Sequence, residues 1–238
     1  MSNSWFCFKQ FTIQQEKTTM KVGTDGVLLG SWADISNASQ ILDIGTGTGV
    51  IAIMLAQRAP KAKITAIDIE PNAYEQAREN IAQSLWKDRM FIRNEDFNAL
   101  ANRKEEFFDL VVCNPPYFSN SLKSPSEQRN LARHEGVLTH QELLTGVKKI
   151  LCDTGRFSVV LPYFEGVSFT NLAKKAGFFC SKKMNISTKQ GTPIKRLLLE
   201  FQLSRQPLVE QFMYIREDGD NEFSSEYKEL TKGFYLNF

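Results

Sequence analysis

Residues Ile41-Leu42-Asp43-Ile44-Gly45-Thr46-Gly47-Thr48-Gly49 decide the fold of this chain. A short apolar strand with one acid runs into a glycine-rich turn, and an apolar, helix-like segment over 50–58 follows directly. Glycines in such a turn can adopt positive φ and let the backbone approach a ligand closely. The free N–H groups at the start of the helix point to the same place. The stretch therefore predicts a strand, a ligand-binding turn and a helix, which is the opening unit of an α/β domain.

Downstream of this stretch, strand-like and helix-like segments alternate. Strands are predicted at 64–69, 90–93, 107–113 and 156–161, helices at 71–84, 141–151 and 164–176, and two closing strands at 178–185 and 194–203. Strands separated by helices of this length predict a mostly parallel sheet with helices on both faces. We expect one domain over 1–238, made of an N-terminal strand, turn and helix extension (1–39), a core sheet with an antiparallel closing strand (40–205) and a C-terminal closing segment (206–238).

The composition is that of an ordinary globular protein. Of the 238 residues 42% are hydrophobic and 24% charged, and the net charge is only +2, so any nucleic-acid surface must be a local patch. The four cysteines form no Cys-x-x-Cys pair and there are two histidines, which predicts neither a disulfide framework nor a metal site. The start does not resemble a signal peptide, and no apolar run approaches the length of a membrane span. These features predict a cytoplasmic protein without metal or membrane association.

Acids at the ends of the predicted strands favour a nucleoside cofactor. Asp68 ends the strand after the glycine turn, where an acid can take both hydroxyls of a ribose. The glycine pattern of nicotinamide dehydrogenases fails when counted from Gly45 but fits when counted from Gly47, so the turn alone leaves a dinucleotide open. Asp43 would oppose a pyrophosphate but suits the ammonium of a methionine moiety. Asp96 is placed to accept a hydrogen bond from an adenine amino group, and the alternative for Asp96 is a solvated loop acid. These two acids favour S-adenosyl-L-methionine.

The tetrapeptide Asn114-Pro115-Pro116-Tyr117 directly follows the apolar strand 107–113. It offers a side-chain amide, a backbone carbonyl, a rigid turn and an aromatic face, which together suit a planar amino group. The Asn114 oxygen and the Pro115 carbonyl could each accept one hydrogen bond from that group. Tyr117 could stack on the planar ring that carries the group, as aromatic side chains stack on bases. These three are the predicted catalytic residues. The alternative is a Pro-Pro loop that merely ends a strand.

Taken together, these motifs resemble a known family. The order and spacing of Asp43–Gly49, Asp68, Asp96 and the tetrapeptide resemble the Rossmann-like class I S-adenosylmethionine-dependent methyltransferases, and the tetrapeptide is similar to that of the branch acting on planar exocyclic or amide nitrogens. A more specific resemblance is to the bacterial tRNA adenine-N6 methyltransferases, which modify the adenine next to the anticodon of a valine tRNA. It is carried by three segments, 8–11, 20–30 and 229–235.

The resemblance implies S-adenosyl-L-methionine as the cofactor. The implied cofactor-binding residues are Lys21, Thr24, Asp25, Asp43, Gly45, Thr46, Gly47, Gly49, Asp68, Ile69, Asp96, Phe97 and Asn114. Of these, residues 21–25 would help to close over the methionine end. The alternative for that segment is a glycine turn ahead of a core helix that contains Val27, Leu28 and Trp32.

The resemblance also implies tRNA as the partner, with the anticodon stem-loop of a valine tRNA as the expected substrate. Candidate substrate-binding residues are Pro116, Tyr117, Phe118, Lys123, Arg129 and Arg133, most of them in the polar segment 118–139, which is expected to be a loop beside the site. A second basic set could also follow phosphates; its members are Lys174, Lys175, Lys182, Lys183, Lys189, Lys195 and Arg196. We expect a monomer or a weak dimer.

Other functions remain open at this point. Guanine-N2 methylation of ribosomal RNA uses a similar motif. Enzymes that methylate a protein glutamine carry a helical domain ahead of the cofactor motif, whereas only 40 residues precede Ile41 here. DNA adenine methyltransferases usually need an added target-recognition region. A non-catalytic RNA-binding module that retains the fold is the alternative outside enzymes, and the intact set of Asp43, Asp68 and Asn114 speaks against it.

Overall fold

An eight-stranded sheet with helices on both faces forms the centre of the molecule. The computed structural model describes residues 3–115, 138–217 and 222–238. The strands, numbered along the chain, are β1 (Trp5–Cys7), β2 (Thr12–Gln14), β3 (Gln40–Ile44), β4 (Lys63–Asp68), β5 (Met90–Asn94), β6 (Phe108–Cys113), β7 (Leu151–Pro162), β8 (Phe179–Ser187), β9 (Ile194–Gln202) and β10 (Val209–Tyr214). The helices are α1 (Thr24–Trp32), α2 (Val50–Arg58), α3 (Pro71–Gln83), α4 (Phe97–Arg103), α5 (His140–Ile150), α6 (Tyr163–Ala176) and α7 (Ser225–Thr231).

The strand order in the large sheet is β10-β8-β9-β7-β6-β3-β4-β5. Strand β9 runs antiparallel to β7 and β8, and all other neighbours are parallel. The chain passes from β3 outward to β4 and β5 and then returns to β6 on the other side of β3. The strand order therefore reverses between β3 and β6. The predicted α/β architecture, mostly parallel with an antiparallel strand, is confirmed.

The sheet separates two apolar cores. Side chains alternate between the faces of a strand, so Ile41 of β3 belongs to one core and Leu42 to the other. The first core contains residues of α1, α2 and α7 and of the β1–β2 hairpin, and the second contains residues of α4, α5 and α6. In α1, Val27 and Leu28 are fully buried and Trp32 is half-buried, as predicted for a core helix. Burying each large aliphatic side chain contributes about 1.5–3 kcal/mol.

Eight aromatic rings join the two ends of the chain. This terminal aromatic cluster consists of Phe6, Phe8, Phe11, Phe223, Tyr227, Phe234, Tyr235 and Phe238, with neighbouring ring centroids 4.7–6.5 Å apart. The Lys9 backbone N–H donates to the Phe234 carbonyl at 2.8 Å, and Lys9 Nζ donates to the Lys232 carbonyl at 2.7 Å. Segments 8–11 and 229–235, which both carry the family resemblance, are thus in direct contact.

Several elements differ from the prediction. The short helix α4 and the small helix α7 were not predicted, and β7 begins at Leu151 instead of 156. Strand β10 was not predicted either; it pairs in parallel with β8 and extends the sheet past residue 205. The division of the chain at residues 39 and 205 stays a prediction. Among the helices of the described residues, none is long and apolar enough to cross a membrane.

Candidate active site

The ends of three neighbouring strands bring the predicted acids and amide side by side. Ile44, the last residue of β3, pairs with β4 on one side and β6 on the other. Gly45 therefore lies level with Asp68, the last residue of β4, and with Asn114, which follows β6; adjacent strands are about 4.8 Å apart. This edge, which we call the carboxyl edge, is where the strand order reverses. Doubly wound sheets bind their ligands at such a point.

The glycine turn between β3 and α2 needs its glycines for backbone conformation. Gly45, Gly47 and Gly49 have φ values of +66°, +58° and +81°, in the left-handed region that other residues rarely adopt. A Cβ at Gly45 or Gly47 would meet no atom within 4 Å. The Thr46 N–H donates to the Ile67 carbonyl at 3.0 Å and holds the turn against β4. The turn is therefore fixed in place with open space in front of two of its glycines.

Asp43 is a fully buried acid beneath this turn. Its Oδ2 accepts hydrogen bonds from the Thr46 hydroxyl at 2.6 Å and the Ala52 N–H at 3.1 Å. Its Oδ1 is buried and has no hydrogen-bond partner among the described residues. Burial raises the pKa of Asp43 to about 7, and the nearby Asp68 charge adds to the effect, although the two hydrogen bonds oppose it. A buried oxygen without a partner is costly, and a cationic donor such as an ammonium would satisfy it.

Asp68 holds the turn from the neighbouring strand. Its Oδ2 accepts the Gly47 N–H at 2.8 Å and its Oδ1 accepts the Glu70 N–H at 3.0 Å. Burial raises the pKa of this carboxyl, whereas these two hydrogen bonds lower it. Each oxygen of a carboxylate can accept a second hydrogen bond, so Asp68 can still bind a pair of hydroxyls. Ile69, the next residue, is 54% exposed at the same edge.

Two asparagines that the sequence did not single out support the site. Asn94, the last residue of β5, donates to the carbonyls of Asp68 and Ile69 at 2.9 and 3.1 Å. The buried Asn80 of α3 donates to the Thr48 carbonyl of the glycine turn at 2.8 Å. Asn94 stands at a strand end, which was an available signal. Asn80 lies inside a helix, where the sequence offers no signal of a role in the site.

Asp96 and Phe97 begin α4. Asp96 is the N-cap, and its Oδ1 accepts the Ala99 N–H at 2.8 Å. The Phe97 side chain is 4% exposed and packs in the second core. A Cβ added at Gly146 of α5 would stand 2.4 Å from the ring of Phe97. Of Phe97, therefore, the backbone is the part that a ligand at this edge could contact.

Residues 21–25 form the approach to α1. Lys21 Nζ donates to the Gln15 carbonyl, Thr24 is the exposed first residue of α1, and Asp25 is half-buried. Asp25 Oδ2 forms an ion pair with Arg196 Nε of β9 at 2.7 Å. This pair ties the start of α1 to the far half of the sheet, and it engages one of the arginines that were predicted to follow phosphates.

Asn114 and Pro115 are the described part of the tetrapeptide. Asn114 Oδ1 is buried and has no hydrogen-bond partner among the described residues, and Pro115 is buried. The remaining predicted acceptor-side residues lie outside the described residues: Pro116, Tyr117, Phe118, Lys123, Arg129 and Arg133. Within the described part of the chain, Asn114 thus presents an acceptor without a partner beside the glycine turn.

Comparison with known proteins identifies the family. The model of the methyltransferase small domain matches residues 20–179. The chain belongs to the methyltransferase small domain family. A relative from Histophilus somni, named tRNA1(Val) (adenine(37)-N6)-methyltransferase, is 45% identical over 234 residues, or 98% of each chain. A protein of the same name from Phocaeicola vulgatus is 46% identical over 237 residues, or 100% of each chain. The family resemblance predicted from the sequence is confirmed.

A solved structure supports the fold of this family. The crystal structure of a predicted O-methyltransferase from Agrobacterium tumefaciens matches with a TM-score of 0.68, covering 88% of this chain and 96% of the other. The sequences are 20% identical, so the likeness concerns the fold alone. The predicted class I methyltransferase fold is confirmed.

The second basic set does not form one patch on this methyltransferase domain. Lys189, Lys195 and Arg196 lie at or near the carboxyl edge, because β8 ends and β9 begins there. Lys174 and Lys175 are in the last turn of α6, about 20 Å of helix away from its start. The other two members form ion pairs, Lys182 with Asp34 at 2.6 Å and Lys183 with Glu210 at 2.9 Å.

Two other features of the described residues stand apart from this site. A groove of about 420 Å³ lies at the opposite, amino edge of the sheet; its lining residues are Gln40, Lys63, Thr65, Phe91, Arg93, Glu106, Phe107 and Phe108. None of the predicted site residues lines it. Within the described residues, no three His, Cys, Asp or Glu side chains are grouped so that they could hold a metal ion.

Proposed function

We propose that this chain transfers a methyl group from S-adenosyl-L-methionine to the N6 amine of an adenine in tRNA, next to the anticodon of a valine tRNA. The observation that carries the proposal is the buried Asn114 Oδ1, which lacks a hydrogen-bond partner among the described residues and stands level with Gly45. An exocyclic amine would supply the missing donor. The names of the full-length relatives at 45% and 46% identity support adenine in tRNA as the substrate.

The residues on the cofactor side fit S-adenosyl-L-methionine. Asp43 Oδ1 is the buried acceptor that an ammonium would satisfy, and Asp68 retains acceptor sites for ribose hydroxyls. Asp96 uses Oδ1 to cap α4, which leaves Oδ2 to accept from an adenine amino group. Ile69 offers an exposed apolar surface to the base. When bound, the cofactor supplies a methyl group activated on a sulfonium.

On the acceptor side, the chain holds and polarises the amine. The N6 lone pair is delocalised into the adenine ring, so the free amine is a poor nucleophile. Asn114 Oδ1 and the Pro115 carbonyl accept its two N–H groups and favour a pyramidal nitrogen. Positive charge would develop on that nitrogen as its bond to the methyl carbon forms and the sulfur–carbon bond breaks. Two fixed acceptors stabilise this charge until one N–H proton leaves the nitrogen. Holding the nitrogen in line also removes much of the entropic cost of the reaction.

Labelled methyl transfer to unmodified total tRNA tests the proposal. After incubation with the protein and labelled S-adenosyl-L-methionine, the tRNA is digested and its nucleosides are separated. We expect the label in N6-methyladenosine, and after fractionation in valine tRNA. A parallel reaction with Asn114→Ala controls for a contaminating enzyme.

The alternative functions would give other results in the same reaction. When ribosomal RNA and total protein are also supplied as acceptors, label in N2-methylguanosine of the ribosomal RNA would indicate a guanine methyltransferase, and label in protein only would indicate a glutamine methyltransferase. A non-catalytic RNA-binding module would transfer no label and would not bind the cofactor in a calorimetric titration. A monomeric or weakly dimeric state and a cytoplasmic location stay predictions, which light scattering and cell fractionation would measure.

A further inference from the structure

An exposed aromatic side chain stands at the start of α6. Phe164 is 83% exposed, although large apolar side chains are usually buried. Its neighbour Tyr163 is half-buried against the second core, and the two ring centroids are 5.4 Å apart at 75°. Tyr163 thus anchors the start of the helix while the Phe164 ring faces solvent.

The position of Phe164 relative to Asn114 follows from the strand register. Val159 of β7 pairs with Cys113 of β6, so Val160 lies level with Asn114. Strand β7 continues for two more residues to Pro162, which carries it about 7 Å farther. Helix α6 then begins at the carboxyl edge, one strand away from Asn114 and on the side opposite the glycine turn. Phe164 therefore stands beside the acceptor half of the site.

A lysine lies next to the same helix start. Leu197 of β9 packs against α6, since a Cβ at Gly166 would be 2.9 Å from Leu197 Cδ1. Lys195 is two residues earlier in β9, at the point where the pairing of β9 with β8 shifts register. Because β9 is antiparallel to β7, Lys195 is also nearer to the carboxyl edge. It is exposed, so a cation and an aromatic ring flank the acceptor side together.

We propose that Phe164 and Lys195 bind a nucleotide next to the target adenine, with its base stacked on the Phe164 ring and its phosphate close to Lys195. This inference rests on the proposed RNA substrate. A target base must leave its stack to enter a pocket, and its neighbour then loses a stacking partner, which an exposed aromatic ring replaces at any base sequence. The positive charge of Lys195 favours RNA, which is a polyanion, over an apolar protein surface as the partner of the Phe164 ring.

The affinity for an anticodon stem-loop RNA, measured by fluorescence anisotropy, tests the inference. Phe164→Ala should weaken binding by about 5- to 150-fold, the range for loss of one base–aromatic stack. Phe164→Trp should retain the affinity of the unmodified protein. Phe212→Ala is the matched control, because Phe212 is 71% exposed on the edge strand β10 and should change nothing. In Phe164→Ala, the calorimetric Kd for S-adenosyl-L-methionine and kcat at saturating RNA should equal those of the unmodified protein.

Two further measurements show what Phe164 and Lys195 contact. With stem-loops in which one nucleotide beside the target adenine is abasic, the Phe164→Ala penalty should vanish for one of the two neighbours. Lys195→Ala should lower the slope of log K against log salt by about one. The inference is overturned if Phe164→Ala binds within twofold of the unmodified protein, if Phe212→Ala loses as much affinity, or if neither abasic RNA removes the penalty.

The wild-type protein separates this inference from the proposed function. If the wild-type protein methylates tRNA and Phe164→Ala does so with the same KM and kcat, the inference that Phe164 stacks on a base is wrong and the proposed function stands. If the wild-type protein neither binds nor methylates any RNA, both are wrong.

Discussion

Replacing Asp43 by asparagine should stabilise the cofactor-free protein above acidic pH while it weakens cofactor binding. Burial raises the pKa of Asp43 to about 7 from an ordinary value of 3.8, so its ionised form is disfavoured in the folded chain. Asparagine has the same shape and cannot ionise. Its oxygen can still accept from Thr46 and Ala52, the two donors that Oδ2 uses now. A bound ammonium, in contrast, would lose the opposite charge.

The pH dependence follows from the direction of this shift. Because the pKa is higher in the folded chain than in the unfolded chain, the folded state binds the proton more tightly. The contribution of Asp43 protonation to the free energy of unfolding is complete below pH 3.8. It decreases as the pH rises toward about 7 and is absent at higher pH. A difference of about three units corresponds to about 4 kcal/mol. Between about pH 5 and about pH 8 the expected loss is about 3 kcal/mol.

Urea unfolding of the wild-type protein and Asp43→Asn, both without cofactor, measures this effect. The free energy of unfolding of the variant, minus that of the wild type, should increase by about 3 kcal/mol from about pH 5 to about pH 8. Asp88→Asn, at an exposed acid, should show no such trend. Calorimetry at the higher pH should show S-adenosyl-L-methionine binding to Asp43→Asn at least about tenfold more weakly. A difference in stability that is the same at both pH values would refute the reasoning.

Three further substitutions test separate parts of the site. Asn114→Ala should lower single-turnover methyl transfer about 100-fold with the calorimetric cofactor Kd unchanged; near-normal transfer would show that Asn114 has another role. Gly47→Ala forces alanine to a φ of +58°, which costs about 1–2 kcal/mol, and directs its methyl group into the open space before the turn. The cofactor Kd should therefore rise tenfold or more, and an unchanged Kd would place the cofactor elsewhere. Gly146→Ala puts a Cβ 2.4 Å from the ring of Phe97, so urea unfolding should show a loss of about 1–3 kcal/mol, whereas an unchanged stability would mean that Phe97 can move aside.

The parts of this molecule that the sequence predicted well depend on local signals. Helix α2 was predicted at 50–58 and is observed at Val50–Arg58, because a continuous apolar segment is bounded by a glycine turn and a proline. The glycine turn, Asp43 and Asp68 were predicted for the same reason, since acids and glycines at strand ends are visible one segment at a time. Their meeting at one edge followed from the parallel sheet.

The parts that were missed depend on contacts between distant segments. Strand β10 buries Met213 and leaves most of its other residues exposed, so it shows no alternation and is ordered by pairing with β8. Helix α4 has seven residues, too few for periodicity, and its cap Asp96 was interpreted as a cofactor ligand or a solvated loop acid, not as a helix cap. The ion pair of Asp25 with Arg196 joins residues 171 positions apart, which a single sequence does not reveal.

The terminal aromatic cluster has a consequence for how the chain folds during its synthesis. The ribosome makes the β1–β2 hairpin well before residues 234 and 235, but Phe8 packs on the rings of Phe234 and Tyr235. Until then, Phe6 and Phe8 lack these partners and expose apolar surface, which holdase chaperones recognise. The central sheet can form earlier, because its strands are complete by residue 214. Docking of the hairpin onto these two rings can therefore follow formation of the central sheet.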